Sequence, residues 1–181
     1  MTREFRRVVA GFDANGKTVV LSDKMIATNV GPFAPIWATE NEPGEYQLPE
    51  EVDAKPFSLE PAGVGTNWRL MVIPPENPAH TRDDIENMMA ASYAAFGISH
   101  LRVETDFDPR MHHTNTIDYV MVLEGEITCS LPTGDIHLKK YDTLVQQGGT
   151  HGWINHGPAD VLMLVIMIRS EAPWDAAKKL K

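Results

Sequence analysis

Four side chains in this 181-residue sequence have the chemistry and the spacing of a candidate site: His112, His113, Asp118 and His151. Imidazole nitrogen and carboxylate oxygen are the donors that suit Zn, Fe, Mn, Ni or Cu. Two histidines and one carboxylate with open positions form the ligand set of non-haem iron oxygenases. Alternate side chains of a strand share a face, so in an extended segment His112 and His113 cannot both point inward. One is expected to be a ligand, the other an outward or supporting residue. Blander roles compete: a turn-capping carboxylate for Asp118 and a core histidine for His151. His113, His137 and His156 also read as solvated or structural histidines. His80 and His100 flank a predicted helix and read as surface residues. Trp37, Trp68 and Trp153 read as pocket or barrel packing.

The elements that must position these residues are short strands. Arg6–Gly11 and Lys17–Leu21 read as a hairpin, because Asn15-Gly16 between them suits a tight turn. The stretch 22–61 is rich in Pro, Gly, Asn and Glu, with one short strand at Pro35–Thr39; its acidic part, Glu40–Lys55, reads as an exposed loop over a site or partner surface. Asn67–Ile73 is a strand stopped by Pro74-Pro75. One helix is predicted over 82–96: Thr81 and Asp84 fit a capping box, Ile85, Met88, Met89, Tyr93 and Phe96 follow helical spacing, and Gly97 is a natural stop. Those apolar residues read as core packing. Six further strands are predicted at Tyr119–Leu123, Glu126–Leu131, Ile136–Leu138, Thr143–Gln146, Gly152–Asn155 and Val161–Ile168. Short strands with regular turns argue for a sandwich or barrel. No internal repeat is visible, so one barrel is expected.

Composition narrows the partners. There are 16 Lys and Arg against 25 Asp and Glu, a net charge of −9, with no basic cluster; nucleic acid is a poor partner for such a chain. A single cysteine, Cys129, excludes an internal disulfide and suits a reducing compartment. The amino-terminal residues lack the apolar run of a signal peptide, and the eight apolar residues Val161–Ile168 are too few to span a bilayer as a helix. The expectation is a cytoplasmic protein without membrane partners.

The central stretch resembles the cupin superfamily, whose first motif is written G-x5-H-x-H-x3,4-E-x6-G and whose second is G-x5-P-x-G-x2-H-x3-N. Asp118 followed by six residues and Gly125 is similar to the end of the first, with Asp for Glu. Gly148-Gly149-Thr150-His151 and then Asn155 is similar to the end of the second, with Gln146 for the proline and Tyr141 for the first glycine. The histidine pair departs in either register, His112 with Thr114 or Met111 with His113. A narrower resemblance is to small single-domain cupins carrying H-R-T-x-[ST]-[IVL]-D-Y, then V-V-L-x-G-E-I, then V-V-Q-R-G-T-x-H-A-W-x-N. Their amino-terminal hairpin resembles Arg6–Val9 with Gly16–Asp23. In that group the position of His113 is usually Arg, which favours His112 as the inward residue.

The resemblance implies an all-β fold, a cupin double-stranded β-helix (a jelly-roll-like barrel), with an N-terminal hairpin and one inserted helix. It implies a single domain over 1–181: a hairpin and loop extension at 1–61, the barrel at 62–170 and a tail at 171–181 that forms at most one helical turn. It also implies a divalent transition metal held by His112, Asp118 and His151 at about 2.0–2.2 Å, with His113 as the alternate ligand. The expected activity is metal-dependent chemistry on a small organic molecule, aromatic or polyketide-like. Oxidation comes first, since fungal members of the group sit among secondary-metabolite genes and are often labelled oxidoreductases; isomerisation, decarboxylation and C–O hydrolysis come next. A non-catalytic small-molecule binder is the alternative class. Exposed strand edges need cover, and the hairpin is expected to supply it, as part of a homodimer.

Overall fold

The computed structural model describes residues 2–42, 44–103 and 106–170. The expected tail at 171–181 lies outside these residues. The architecture is all-β and antiparallel, with an amino-terminal hairpin and one long inserted helix. Strands β1 (Glu4–Phe12) and β2 (Thr18–Ala27) form a two-stranded sheet. Asn15-Gly16 does turn the chain: Gly16 has φ +74° and donates to the Asp13 carbonyl, and the Asp13 carboxylate accepts from the Asn15 and Lys17 backbone. The remaining strands are β3 (Phe33–Ala38), β4 (Thr66–Ile73), β5 (His112–Glu124), β6 (Ile127–Leu131), β7 (Gly134–Leu138), β8 (Thr143–Ile154) and β9 (Val161–Arg169). They run in the order β3-β4-β9-β5-β8-β6-β7.

Two differences from the sequence reading matter for the site. β5 begins at His112 rather than after Asp118. Its alternation of buried Thr114, Thr116, Asp118 and Val120 with more accessible neighbours is polar at its first members, so apolar patterning alone hides the strand. The two predicted strands Thr143–Gln146 and Gly152–Asn155 are one strand, β8. Gly148 and Gly149, with φ +68° and +89°, look like a break but allow a bulge instead. Across them the β5–β8 register shifts between Thr114 and Ile117. β8 then changes partner: Thr143–His151 pairs with β5, and Gly152–Ile154 pairs with β6. A strand shared in this way turns a barrel corner, and His151 sits at the change-over.

The acidic segment is not all loop, because Pro49–Asp53 forms a short helix, α1, started by Pro49 and a capping box from Glu51. The predicted helix is α2 (Arg82–Ala95), and its capping box is present: Thr81 and Asp84 each bond the other's backbone N–H. Core packing describes α2 only in part. Tyr93 alone on it is buried, and Met88 is 55% exposed. Tyr93 and Phe96 at its end join Phe33 and Phe57 in one cluster. The main core lies on β5, β6 and β9, where Val122, Cys129, Val161 and Met163 are almost wholly enclosed. Burial pushes the Cys129 thiol up to about 11, so it is the inert small apolar residue expected. No helix of the described residues is long and apolar enough to cross a membrane.

Candidate functional site

A cavity of about 670 Å³ opens between the inner face of the sheet and α2. β5 contributes His112, Thr114, Asp118 and Val120 to its wall, because their even spacing places them on one face of the strand. His151 and Trp153 enter from β8, Arg69 from β4 and Met167 from β9. The volume suits a small organic ligand.

His112 and His151 meet at one end of this cavity. They are direct register partners across β5 and β8, and their ring centroids are 4.4 Å apart. Each Nδ1 lies beside a carbonyl two residues back in its own chain, 3.1 Å from Arg110 O for His112 and 3.2 Å from Gly149 O for His151. A carbonyl only accepts, so Nδ1 carries the proton and Nε2 keeps a lone pair. Burial, then the neighbouring imidazole, holds His151 down at about 3, and burial lowers His112 as well. Both rings are therefore neutral at pH 7. Tyr93 packs edge-on to His112, and Trp153 edge-on to His151, with centroids 6.0 and 5.9 Å away.

His113 falls on the other side of β5, as one-residue alternation requires. Asp118 occupies a different part of the cavity. It is six residues beyond His112, about 20 Å of backbone if fully extended, and it pairs with Gln146 and Met167 instead of His151. Burial pushes its carboxyl up to about 6, opposed by Thr116 and the Arg69 guanidinium. Among the described residues there is no group of three or more His, Cys, Asp and Glu side chains placed to hold a metal ion. The donors thus fit a metal at two positions and not at the third: the imidazole pair is assembled, and the expected His112–Asp118–His151 set is not.

Three residues escaped the sequence reading. Arg69 is 5% exposed, yet lies inside the cavity wall. Alternation along Asn67–Ile73 could have flagged it, since an arginine on an inward position of a strand is unusual. Thr114 was visible only as a substitute for a motif histidine. His80, read as a surface residue, lines the cavity edge. His100, His137 and His156 are exposed and pair with Glu60, Glu126 and Glu76. Trp68 is 42% exposed and packs no pocket, whereas Trp37 lies under the Arg7 guanidinium.

No family model matches the sequence. Phomopsin biosynthesis cluster proteins C' and D of Diaporthe leptostromiformis are each 48% identical to it over 71 residues, 39% of this chain and 38% of theirs. The chain's match therefore spans well under half the length of these relatives. Among solved structures, a sugar phosphate isomerase from a cupin superfamily of Silicibacter pomeroyi overlaps 58% of this chain and 51% of its own at 16% identity and TM-score 0.36. A cupin-2 domain containing protein from Shewanella frigidimarina overlaps 64% and 81% at 13% identity and the same TM-score of 0.36. Overlaps of this order name neither a substrate nor a ligand set.

Proposed function

We propose that this chain is a cupin-type barrel that binds a small organic molecule between its sheet and α2, and acts on it at the His112–His151 pair. The observation that carries this reading is the half-buried His112 beside the buried His151 in a cavity wall, ring centroids 4.4 Å apart, each Nδ1 against a backbone carbonyl. Two Nε2 lone pairs side by side form an acceptor pair. Each can accept a hydrogen bond from a bound hydroxyl or N–H. Tyr93 and Trp153 pack edge-on against the two rings and limit their contact with solvent, which strengthens each polar contact. The names of the two partial relatives place them in a biosynthesis cluster, in keeping with a small-molecule substrate.

A metal-dependent oxidoreductase is the second reading, favoured by the same tautomer, since Nε2 is then free to bind an ion. A divalent ion held by His112 and His151 would act as a Lewis acid or bind dioxygen. The chain's own residues supply two donors there, so the ligand or solvent would complete the coordination. We further propose a homodimer, supported by the apolar residues Val8, Phe12, Val20 and Met25 exposed on the hairpin, in the cytoplasm, which the single cysteine suits.

Imidazole ¹⁵N spectra of the full chain test the site. Both rings should report protonated Nδ1 at pH 7, and both Nε2 signals should move together when an aromatic or alkyl-bodied probe binds. Protonated Nε2 on either ring, or probe binding that leaves both unmoved, would remove the pair from the site. Elemental analysis of untagged protein separates the two readings, and a monomeric mass by light scattering at micromolar concentration would end the dimer.

A further inference from the structure

The cavity wall carries a second set of enclosed polar residues besides the imidazole pair. Arg69 and Asp118 are each 5% exposed, and Thr114 is 1% exposed; all three line the cavity. Arg69 Nε, Asp118 Oδ1 and Thr114 Oγ1 are enclosed and have no partner at hydrogen-bond distance in the protein; the same holds for Thr116 Oγ1, whose hydroxyl favours the ionised Asp118 carboxylate. The other Arg69 nitrogens are engaged, Nη1 with Leu59 O at 2.7 Å and Nη2 with Met167 Sδ, and the guanidinium lies over the Phe33 ring at 5.1 Å. Arg69 is thus held through both Nη atoms, and Nε is the nitrogen left without a partner. No carboxylate forms an ion pair with it among the described residues, although Asp118 acts on it through space.

The sheet order sets the spacing. β4 and β5 flank β9, where Arg69 pairs with Val165 and Asp118 with Met167. Donor and acceptor therefore stand two strands apart and two residues offset along β9, about 12 Å between backbones, with their side chains on the same face. A buried donor and a buried acceptor left unmatched are costly, and a group lying between them could satisfy both.

We propose that the Arg69–Asp118 pair reads a neutral head group with an acceptor oxygen next to a donor N–H, of which a carboxamide is the simplest. Its oxygen faces the Arg69 guanidinium, and its N–H faces the Asp118 carboxylate. The apolar body lies along Phe33, Met71 and Met89 toward the imidazole pair. This deepens the reading of the cavity as a small-molecule site and rests on it. Charge selects amide over acid: the guanidinium and the carboxylate already sum to zero, so a carboxylate ligand would add an unbalanced buried charge.

The test uses the full chain at pH 7.5 with three probes: 3-phenylpropanamide, 3-phenylpropanoate and propylbenzene. Ligand-observed NMR gives their relative affinities for wild type and for Asp118→Asn, which is isosteric. In the wild type the amide should bind about tenfold or more tighter than the carboxylate. In Asp118→Asn, where Arg69 loses its counter-charge, that preference should invert. A purely structural Asp118 would not reverse a preference between ligands. Equal or tighter carboxylate binding by wild type, or an unchanged ratio in Asp118→Asn, overturns the head-group assignment while binding of propylbenzene leaves the cavity reading standing. If no probe binds, the cavity reading fails and this inference with it. Circular dichroism of Asp118→Asn confirms that the comparison is between folded proteins.

Discussion

His112 on β5 and His151 on β8 are register partners whose ring centroids lie 4.4 Å apart, each with its Nδ1 on a carbonyl two residues back in its own chain. Two rings that share one task should fail together. We expect His112→Ala and His151→Ala to lose uptake of Zn(II) or Fe(II), or turnover once a substrate is found, to a similar extent. The double variant should lose little more, because residues acting as a unit are non-additive. His113→Ala, on the other face of β5, should keep most of the function. The fold should survive all of them, since the enclosed apolar residues of β6 and β9 carry the core, unlike a zinc finger, in which metal binding is folding. Metal per subunit and a thermal melt for each variant check this. Loss confined to His113→Ala would move the site to the Met111–His113 register.

Asp118 gives a pH signature. Its folded carboxyl titrates near 6, because burial disfavours the ionised form; an ordinary aspartate titrates near 3.9. Between about pH 4 and 6 the unfolded chain therefore binds fewer protons at this residue than the folded one, and stability falls as pH rises. The contribution is fully present below the unfolded value and is lost as pH passes through about 6. The two values imply a burial penalty of roughly 3 kcal/mol above pH 6. Asp118→Asn cannot ionise. The stability difference, wild type minus variant, should thus become more unfavourable by up to roughly that amount between pH 4 and pH 7.5. Urea unfolding of both proteins at the two pH values measures it, and a flat difference would show that Asp118 is not held in a low-dielectric wall.

Local patterning made some of this legible and long-range pairing did not. The Asn15-Gly16 turn, the Thr81–Asp84 capping box and most strand positions depend on residues close in sequence, and all of these appear in the structure. His112 lines the cavity; alternation and motif spacing left it open against His113, and the narrower resemblance alone favoured it. The convergence of Asp118 with the histidines is a different kind of claim. It depends on how far the β5 bulge bends the strand and on which neighbour each residue meets. The motif spacing carries no term for Arg69, 49 positions earlier, which reaches the same wall through β9. The single strand β8 was hidden because two glycines read as a break, although in a sheet they can equally permit a bulge.

Gly65 tests how tightly the β3–β4 junction closes. Thr39 and Thr66 exchange backbone hydrogen bonds at 2.9 and 3.2 Å, and their hydroxyls are 3.0 Å apart. A Cβ on Gly65 would stand 1.9 Å from Thr39 O and 2.6 Å from Glu40 N. Those are backbone atoms, so the clash cannot be relieved by turning a side chain. Gly65→Ala is expected to lose about 2–4 kcal/mol. Gly44, where a Cβ meets nothing within 4 Å, is the control, and Gly44→Ala should change stability by less than about 0.5 kcal/mol. Denaturant midpoints at constant slope decide between them, and equal midpoints would mean that the junction opens freely.

Arg7 is the most enclosed of the side chains that fasten the hairpin to the rest of the chain. A two-stranded ribbon is at best marginal alone, and this one forms its own sheet apart from the seven other strands. The Arg7 side chain is 4% exposed and makes a two-pronged bond to Asp53 on α1, at 2.8 and 2.9 Å. Nη1 also reaches Ile36 O on β3 at 3.2 Å, and the guanidinium stacks on Trp37. Lys24, from the second strand, meets the same carboxylate. These contacts, chiefly the Arg7 hydrogen bonds, hold the Asp53 carboxyl below its ordinary value. Arg7→Met keeps the apolar stem but removes every donor, leaving a partly buried carboxylate with Lys24 alone. A loss of about 2–4 kcal/mol follows from breaking such a pair on one side. Asp53→Asn should cost less than the arginine change, because it leaves an acceptor oxygen in place. The double variant should fall short of the sum by about 1 kcal/mol or more, the coupling expected of residues in contact. Hydrogen exchange locates the effect: amides of β1 and β2 should lose protection in Arg7→Met before those of β5 and β9. Uniform loss across all strands would mean that the hairpin is part of the barrel's own cooperative unit and not a separately fastened element.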